Sequence, residues 1–235
     1  MQLFYNPNID RSTENFTFSE EESKHIIRVL RKKEGNILTI TNGKGLLVTS
    51  KITIANPKKC TAVILTSIEK EPSTSWIHLA VAPTKNNDRF EWFLEKATEI
   101  GINEITPILC ENSERKIIKQ ERMEKVIQSA MKQSLQTFLP KFNPIISYKD
   151  FLKKEHKGQL FIAHCEETEK IDLSKKAVPN KNTTVLIGPE GDFSSTEIKT
   201  AFENKFSPVS LGENRLRTET AAIVACTTLS ILNHG

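Results

Sequence analysis

The chain has 235 residues, with 33 lysines and arginines against 29 aspartates and glutamates, a net charge of +4. That is an ordinary globular composition, long enough for one large domain or two modest ones whose cores need no disulfide or metal staple. No run approaches the ~20 apolar residues of a membrane-spanning helix, and so small a charge does not by itself imply nucleic acid.

The four cysteines, Cys60, Cys110, Cys165 and Cys226, are far apart and form no CxxC pair. They read as buried or idle thiols in a reducing compartment, and no metal site is expected. MQLFYNPNID at the N-terminus has neither a charged n-region nor an apolar h-region. No export signal, no membrane contact and a cytoplasmic location are expected. Most of the basic excess lies in the first 75 residues, which fits a nucleic-acid face and a solvated face alike.

The chain begins β-rich. Short strands are expected at Met1–Tyr5 and Phe16–Phe18. A helix follows, opened by Ser19 with Glu22 three residues on, the capping-box spacing. Its apolar stripe of Ile26, Ile27, Val29 and Leu30 leaves Lys24, His25, Arg28, Arg31 and Lys32 toward solvent. Ile37–Thr41 and Leu46–Ile54 flank the hairpin turn Asn42-Gly43-Lys44-Gly45. Thr61–Ile68 is another β-branched run. A small β-barrel with one helix and a basic face is the natural architecture.

The polar, proline-containing stretch Lys70–Ser75 reads as a boundary, giving domains at 1–70 and 76–235. Beyond it strands and helices alternate. Strands are expected at Trp76–Ala82, Ile105–Leu109, Pro144–Ser147, Gln159–His164, Thr183–Ile187 and Pro208–Leu211. Helices are expected at Asp88–Ile100, Gln120–Phe138, Tyr148–Glu155, Ser195–Asn204 and Thr218–Asn233. Asp88 and Ser194 are read as caps, each with Glu three residues on, and Gly101 as a stop. Such alternation predicts an α/β domain with a mainly parallel sheet covered on both faces. The last helix is apolar around much of its girth, so it is deeply buried or part of a subunit interface.

Two segments point to chemistry. LIGPEGDFSSTEI (186–198) runs from a strand through a glycine- and proline-shaped turn into a capped helix. The turn can cradle a ligand or simply connect two elements, and it lacks both GxGxxG and P-loop glycines. LGENRLRTETAA (211–222) ends a strand at Gly212 and enters a helix at Thr218 and Glu219, which capping explains. Arg217 is not so explained: the positive end of the helix dipole disfavours a cation there unless it meets a carboxylate, a phosphate or an electron-rich base. Arg215 can be merely solvated. His164, at a C-terminal strand edge, stands where ligands bind in open parallel sheets, although a lone histidine also serves as a hydrogen-bonded structural residue. His25, Arg28 and Arg31 fit phosphate contacts or an inert face, and so do Asn112–Lys116.

Taken in order, HIIRVLRKKEGN (25–36), DRFEWFLEKATEIGINEITP (88–107), Ser113-Glu114-Arg115, LIGPEGDFSSTEI and LGENRLRTETAA resemble the SPOUT-class RNA methyltransferases that modify uridine N3 in 16S ribosomal RNA. The resemblance covers nearly the full chain. It implies an N-terminal PUA-like β-barrel that helps hold RNA and a C-terminal SPOUT α/β domain with a trefoil knot. It also implies a homodimer and the cofactor S-adenosylmethionine. The implied cofactor residues are Ile162, His164, Leu186, Gly188, Glu190, Gly191, Leu211, Gly212 and Leu216. Arg217 and Glu219 are implied as catalytic, and His25, Arg28, Arg31 and Arg115 as RNA-binding. The partner is ribosomal RNA or the small ribosomal subunit. Two positions depart from the family pattern: Gln136 stands where an arginine is usual, and Asp192 where a second glycine commonly follows Gly191.

In the implied reaction the sulfonium methyl moves to uracil N3 in one displacement, so the protein aligns the partners and helps with the N3 proton. Arg217 beside O2 or O4 would stabilise the uracil anion, and Glu219 would orient Arg217 or relay the proton. Two other readings stay open: a related enzyme with another target, such as a ribose 2′-hydroxyl, and a non-catalytic RNA-binding or ribosome-assembly factor.

Overall fold

The computed structural model describes residues 2–234. The chain forms two compact units. One runs to Pro72 and takes in Met131–Leu139; the other comprises Ser73–Ala130 and the chain from Pro140 onward.

The N-terminal unit is a five-stranded sheet in the order β1 (Leu3–Tyr5), β3 (Ile37–Thr41), β4 (Leu46–Ile54), β5 (Thr61–Glu69), β2 (Asn15–Thr17). Met1, the first residue of the expected strand Met1–Tyr5, lies outside the described residues. Alternating apolar residues build the core: Leu38, Ile40, Leu46, Val48 and Ile52 are buried together with Phe4, Phe18 and Ile26. β3 and β4 pair antiparallel across the Asn42–Gly45 turn, as their sequence predicts. At Gly45, with φ +100°, an added Cβ would lie 2.7 Å from the Phe138 ring, so the hairpin needs glycine there.

Phe138 belongs to a segment that the sequence places in a helix. The helix α3 (Gln120–Gln133) ends before it. Leu135 adopts φ +59°, the Gln136 N–H turns back to the Met131 carbonyl, and the chain then pairs with the hairpin through Leu139 N–H to Gly43 O, 2.9 Å. Lys132 binds Glu22 at 2.7 Å. That pairing takes Glu22 away from a capping box. Ser19 does cap α1 (Glu20–Lys24), accepting from Glu22 N–H, but no reciprocal bond forms. His25–Val29 then continues as a π-helical turn, with Leu30 N–H bonded to His25 O. The wider turn rotates the expected stripe: Ile26 is buried, whereas Val29 is 67% exposed.

The second unit is an entirely parallel sheet. Its order is β11 (Ile171–Asp172), β13 (Ser207–Ser210), β10 (Gln159–Ala163), β12 (Thr183–Ile187), β6 (Ile77–Val81), β7 (Glu104–Leu109), β8 (Lys141–Phe142), with β9 (Ile146–Ser147) also on β7. Ala80, Ile108, Ile162 and Leu186 face α4 (Tyr148–Leu152) and α6 (Ser195–Glu203) in one core. Strand alternation turns Leu79 and Val81 to the other face, where α7 (Thr218–His234) packs on β6, β12, α2 (Asn87–Ile100) and α5 (Leu173–Lys176). Asn86, not Asp88, caps α2: its side chain accepts from Asp88 N–H at 2.9 Å, so the cap lies two residues earlier than the acidic pattern suggests. Among the described residues no helix is long and apolar enough to cross a membrane.

Candidate active site

Three loops leave the C-terminal ends of neighbouring strands: 164–166 after β10, 188–194 after β12, and 211–217 between β13 and α7. The first and third border a cleft of about 570 Å³ whose walls include His164, Lys170, Leu211, Gly212 and Leu216. A smaller cleft of about 280 Å³ is lined by Gly188, Glu190, Asp192 and Arg217. The two share Ala163, Cys165, Arg215, Leu216 and Ala221. Space of this size suits a small organic ligand.

Why the loops stand open follows from local chemistry. Gly188 allows Phe193 to close beneath the turn, since a Cβ there would meet the Phe193 ring at 3.0 Å. The Ser194–Glu197 capping box forms in full and fixes the start of α6. Thr218, expected as a side-chain cap, instead donates its hydroxyl to Gly188 O at 3.0 Å. The first turn of α7 begins from Arg217, whose carbonyl accepts from Ala221 N–H. Thr218 thus ties two of the loops together, because the Gly188 carbonyl competes successfully for its hydroxyl.

Asp192 supplies a second tie that the sequence did not reveal. It takes φ +62°, a left-handed conformation that costs a non-glycine residue about 1 kcal/mol. Its carboxylate accepts from Cys165 N–H at 2.7 Å and from Phe193 N–H at 2.8 Å. The loops after β10 and β12 are therefore joined through one side chain. Asn112 adds bonds to the carbonyls of Gly191 and Asp192.

Several polar atoms facing this region have no partner. His164 is buried with both ring nitrogens unpaired, its ring edge-on to Phe202. Burial first, then Lys170, lowers its pKa, so the imidazole is neutral near pH 7. Glu190 accepts Lys85 N–H through Oε1 at 2.9 Å and leaves Oε2 buried and unpaired. A buried polar atom without a partner costs about 1–3 kcal/mol, which marks these groups as suited to a ligand.

The remaining predicted residues fall into distinct places. Arg217 is exposed at the wall of the smaller cleft, with no side-chain partner among the described residues. Glu219 is buried and does not orient Arg217: its Oε1 lies 3.8 Å from Arg89 Nε, and its Oε2 is unpaired. Ile162 and Leu186 point into the core, and it is the adjacent Ala163 and Ile187 that line the clefts, as strand alternation requires. Gly191 is covered by Asn112. Arg115 donates to Thr84 O and Lys85 O at 3.0 and 2.6 Å, bracing the loop whose Lys85 N–H holds Glu190. In the N-terminal unit, Arg28 and Arg31 are exposed and His25 is half-buried.

A family model described as an RNA methyltransferase domain matches residues 70–230, and one described as an RNA methyltransferase PUA domain matches residues 18–65. The chain is 30% identical to Ribosomal RNA small subunit methyltransferase E of Mesomycoplasma hyopneumoniae, covering 93% of this chain and 96% of that one. It is similar to the crystal structure of a probable rRNA-methyltransferase from Porphyromonas gingivalis, with TM-score 0.91, 39% identity and coverage of 100% and 99%. A Ribosomal RNA small subunit methyltransferase E from Neisseria gonorrhoeae, bound to S-adenosyl methionine, matches with TM-score 0.87, 28% identity and coverage of 99% and 98%.

Proposed function

Since the chain belongs to the RNA methyltransferase family and pairs that domain with a PUA-like one, we propose that it methylates N3 of a uridine in small-subunit ribosomal RNA, using S-adenosylmethionine. The observation that carries this reading is the pair of adjoining clefts at the C-terminal strand ends, where His164 lines the larger and Glu190 the smaller and both hold buried, unpaired polar atoms. Those groups fit a cofactor that brings an ammonium, a carboxylate, ribose hydroxyls and a purine. Glu190 Oε2 accepts from a hydroxyl or ammonium, the His164 ring offers one donor and one acceptor, and the 211–216 backbone lines the rest. When bound, the cofactor supplies a methyl group already activated by its positive sulfur.

The protein's own work is then alignment and charge control. Uracil N3 carries a hydrogen and is a poor nucleophile near neutral pH. Arg217, unpaired at the cleft wall, lowers the cost of the uracil anion through O2 or O4. Its position against the α7 dipole is unfavourable until that negative charge forms. In this reading the buried, unpaired Oε2 of Glu219 accepts the N3 proton, and Arg89 holds the carboxylate in place.

The N-terminal unit, proposed as a barrel, holds RNA through His25, Arg28 and Arg31. Closure is supported by the Phe4 ring on edge strand β1 and the Phe18 ring just after the opposite edge strand β2, 6.1 Å apart. A trefoil knot is supported by the path after β13. The chain leaves one side of β10 and returns to pack α7 on β12 and β6, crossing the open strand ends through residues 211–217. A homodimer and a cytoplasmic location complete the proposal; half-buried Ile223 and Val224 and exposed Ile231 on α7 suit a partner surface.

The test is to incubate the protein with methyl-labelled cofactor and small ribosomal subunits from a strain lacking the enzyme, then map the label by nucleoside analysis. Label on a uracil ring nitrogen is expected. Label on a ribose 2′-oxygen, or none, would overturn the assignment.

A further inference from the structure

A second cleft, of about 350 Å³, lies at the other end of the parallel sheet, among the first residues of β6, β7, β8 and β12 and the loop following α4. Its floor is polar and self-paired. Glu104 accepts from Trp76 Nε1 and Lys141 Nζ at 2.9 Å and from Asn143 Nδ2 at 2.7 Å. Burial would raise the Glu104 pKa, but Lys141, Asn143, His78 and Trp76 outweigh it and hold it at about 2. His78 bonds Thr106 at 2.8 Å and stacks edge-on to Phe151, and its burial keeps it neutral.

What remains free is at the mouth. The Trp76 indole is 41% exposed. Lys154 and Lys157 are exposed, and their ammonium groups have no partner among the described residues. Glu155 between them offsets only one of the two charges. The floor carboxylate is already spent on three donors, so the mouth offers cations and an aromatic face.

That combination selects a ligand that is both flat and anionic. We propose that this cleft takes a nucleotide of single-stranded RNA, its base against Trp76 and its phosphate on Lys154 and Lys157. Stacking on an aromatic side chain tolerates any base, and lysine contacts to phosphate add salt-dependent affinity. The nucleotide chemistry comes from the cleft alone; its assignment to RNA rests on the proposed function. Located across the sheet from the cofactor cleft, the site grips the substrate away from the methylated base.

The chain has two tryptophans, so a full-length Trp92→Phe protein reports Trp76 fluorescence alone. Saturable quenching by a short oligouridylate is expected. In a Lys154→Glu/Lys157→Glu version the affinity should fall about tenfold and lose salt dependence, with calorimetric S-adenosylmethionine binding unchanged. No quenching by the oligonucleotide, or quenching indifferent to the double substitution, would overturn the proposal. Quenching by uridine 5′-monophosphate but not by the strand overturns the RNA assignment in favour of a free nucleotide. Intact quenching in a protein that transfers no methyl group to RNA supports the cleft and counts against the proposed function instead.

Discussion

At the C-terminal ends of β10 and β12, His164 and Glu190 bury polar atoms that bond to nothing; at the N-terminal ends of β6 and β7, the half-buried Glu104 and His78 are paired. The same sheet supports both arrangements. Leaving an atom unpaired lowers stability, whereas pairing it within the protein spends the group. The first end is thus built to receive a ligand that completes its bonds. The second has a finished floor, and only its mouth is free to make weaker, solvent-exposed contacts.

Substitutions at the two ends should therefore differ in kind. The largest effect is expected for Arg217→Ala, which should lower turnover by about 100-fold or more, the usual loss for one preorganised charge-stabilising donor. Cofactor affinity by calorimetry should stay within about twofold; lost cofactor affinity with normal turnover would contradict the role given to Arg217. Next comes Asp192→Gly. Removing the carboxylate frees the loop after β10 from the loop after β12, and S-adenosylmethionine should bind about fivefold more weakly. The melting temperature should fall, because losing two hydrogen bonds to a charged carboxylate outweighs relief of a left-handed backbone worth about 1 kcal/mol. Asp192→Asn, which keeps an acceptor, should recover part of the affinity. Unchanged cofactor affinity in Asp192→Gly would mean that this tie does not shape the cofactor cleft.

The smallest effect belongs to the paired end and appears only as a dependence on pH. Burial holds His78 at about 4 against 6.5 when unfolded. As pH falls the unfolded chain binds the proton first, so stability is full above about pH 6.5 and declines toward pH 4. His78→Gln should flatten the denaturation midpoint across that window without changing cofactor binding. An unchanged slope would mean that His78 is not what the acid limb reports.

Local patterns carried much of this structure. Alternating apolar residues marked the strands, Asn42–Gly45 marked the hairpin, and Ser194 with Glu197 marked a capping box that forms completely. What escaped the sequence involves partners far away in the chain. Glu22 has the spacing of a capping residue yet meets Lys132, 110 positions on. Arg115 has the look of a phosphate contact yet binds carbonyls 30 and 31 residues earlier. Glu219 faces Arg89 and not its neighbour Arg217. Asp192 showed itself in the sequence only as a residue standing where a glycine is common, and its tie to Cys165 needs the strands side by side. Charged and polar side chains with several available partners are decided by tertiary placement, which no short window contains.

The central claim concerns the unpaired polar atoms at the C-terminal edge, and His164 tests it most directly. Titrating S-adenosylmethionine into wild type and His164→Phe, with parallel thermal melts, separates ligand binding from stability. The account predicts affinity reduced about tenfold or more, with the melting temperature equal or higher, because phenylalanine removes two buried unpaired nitrogens. Wild-type affinity in His164→Phe would contradict it.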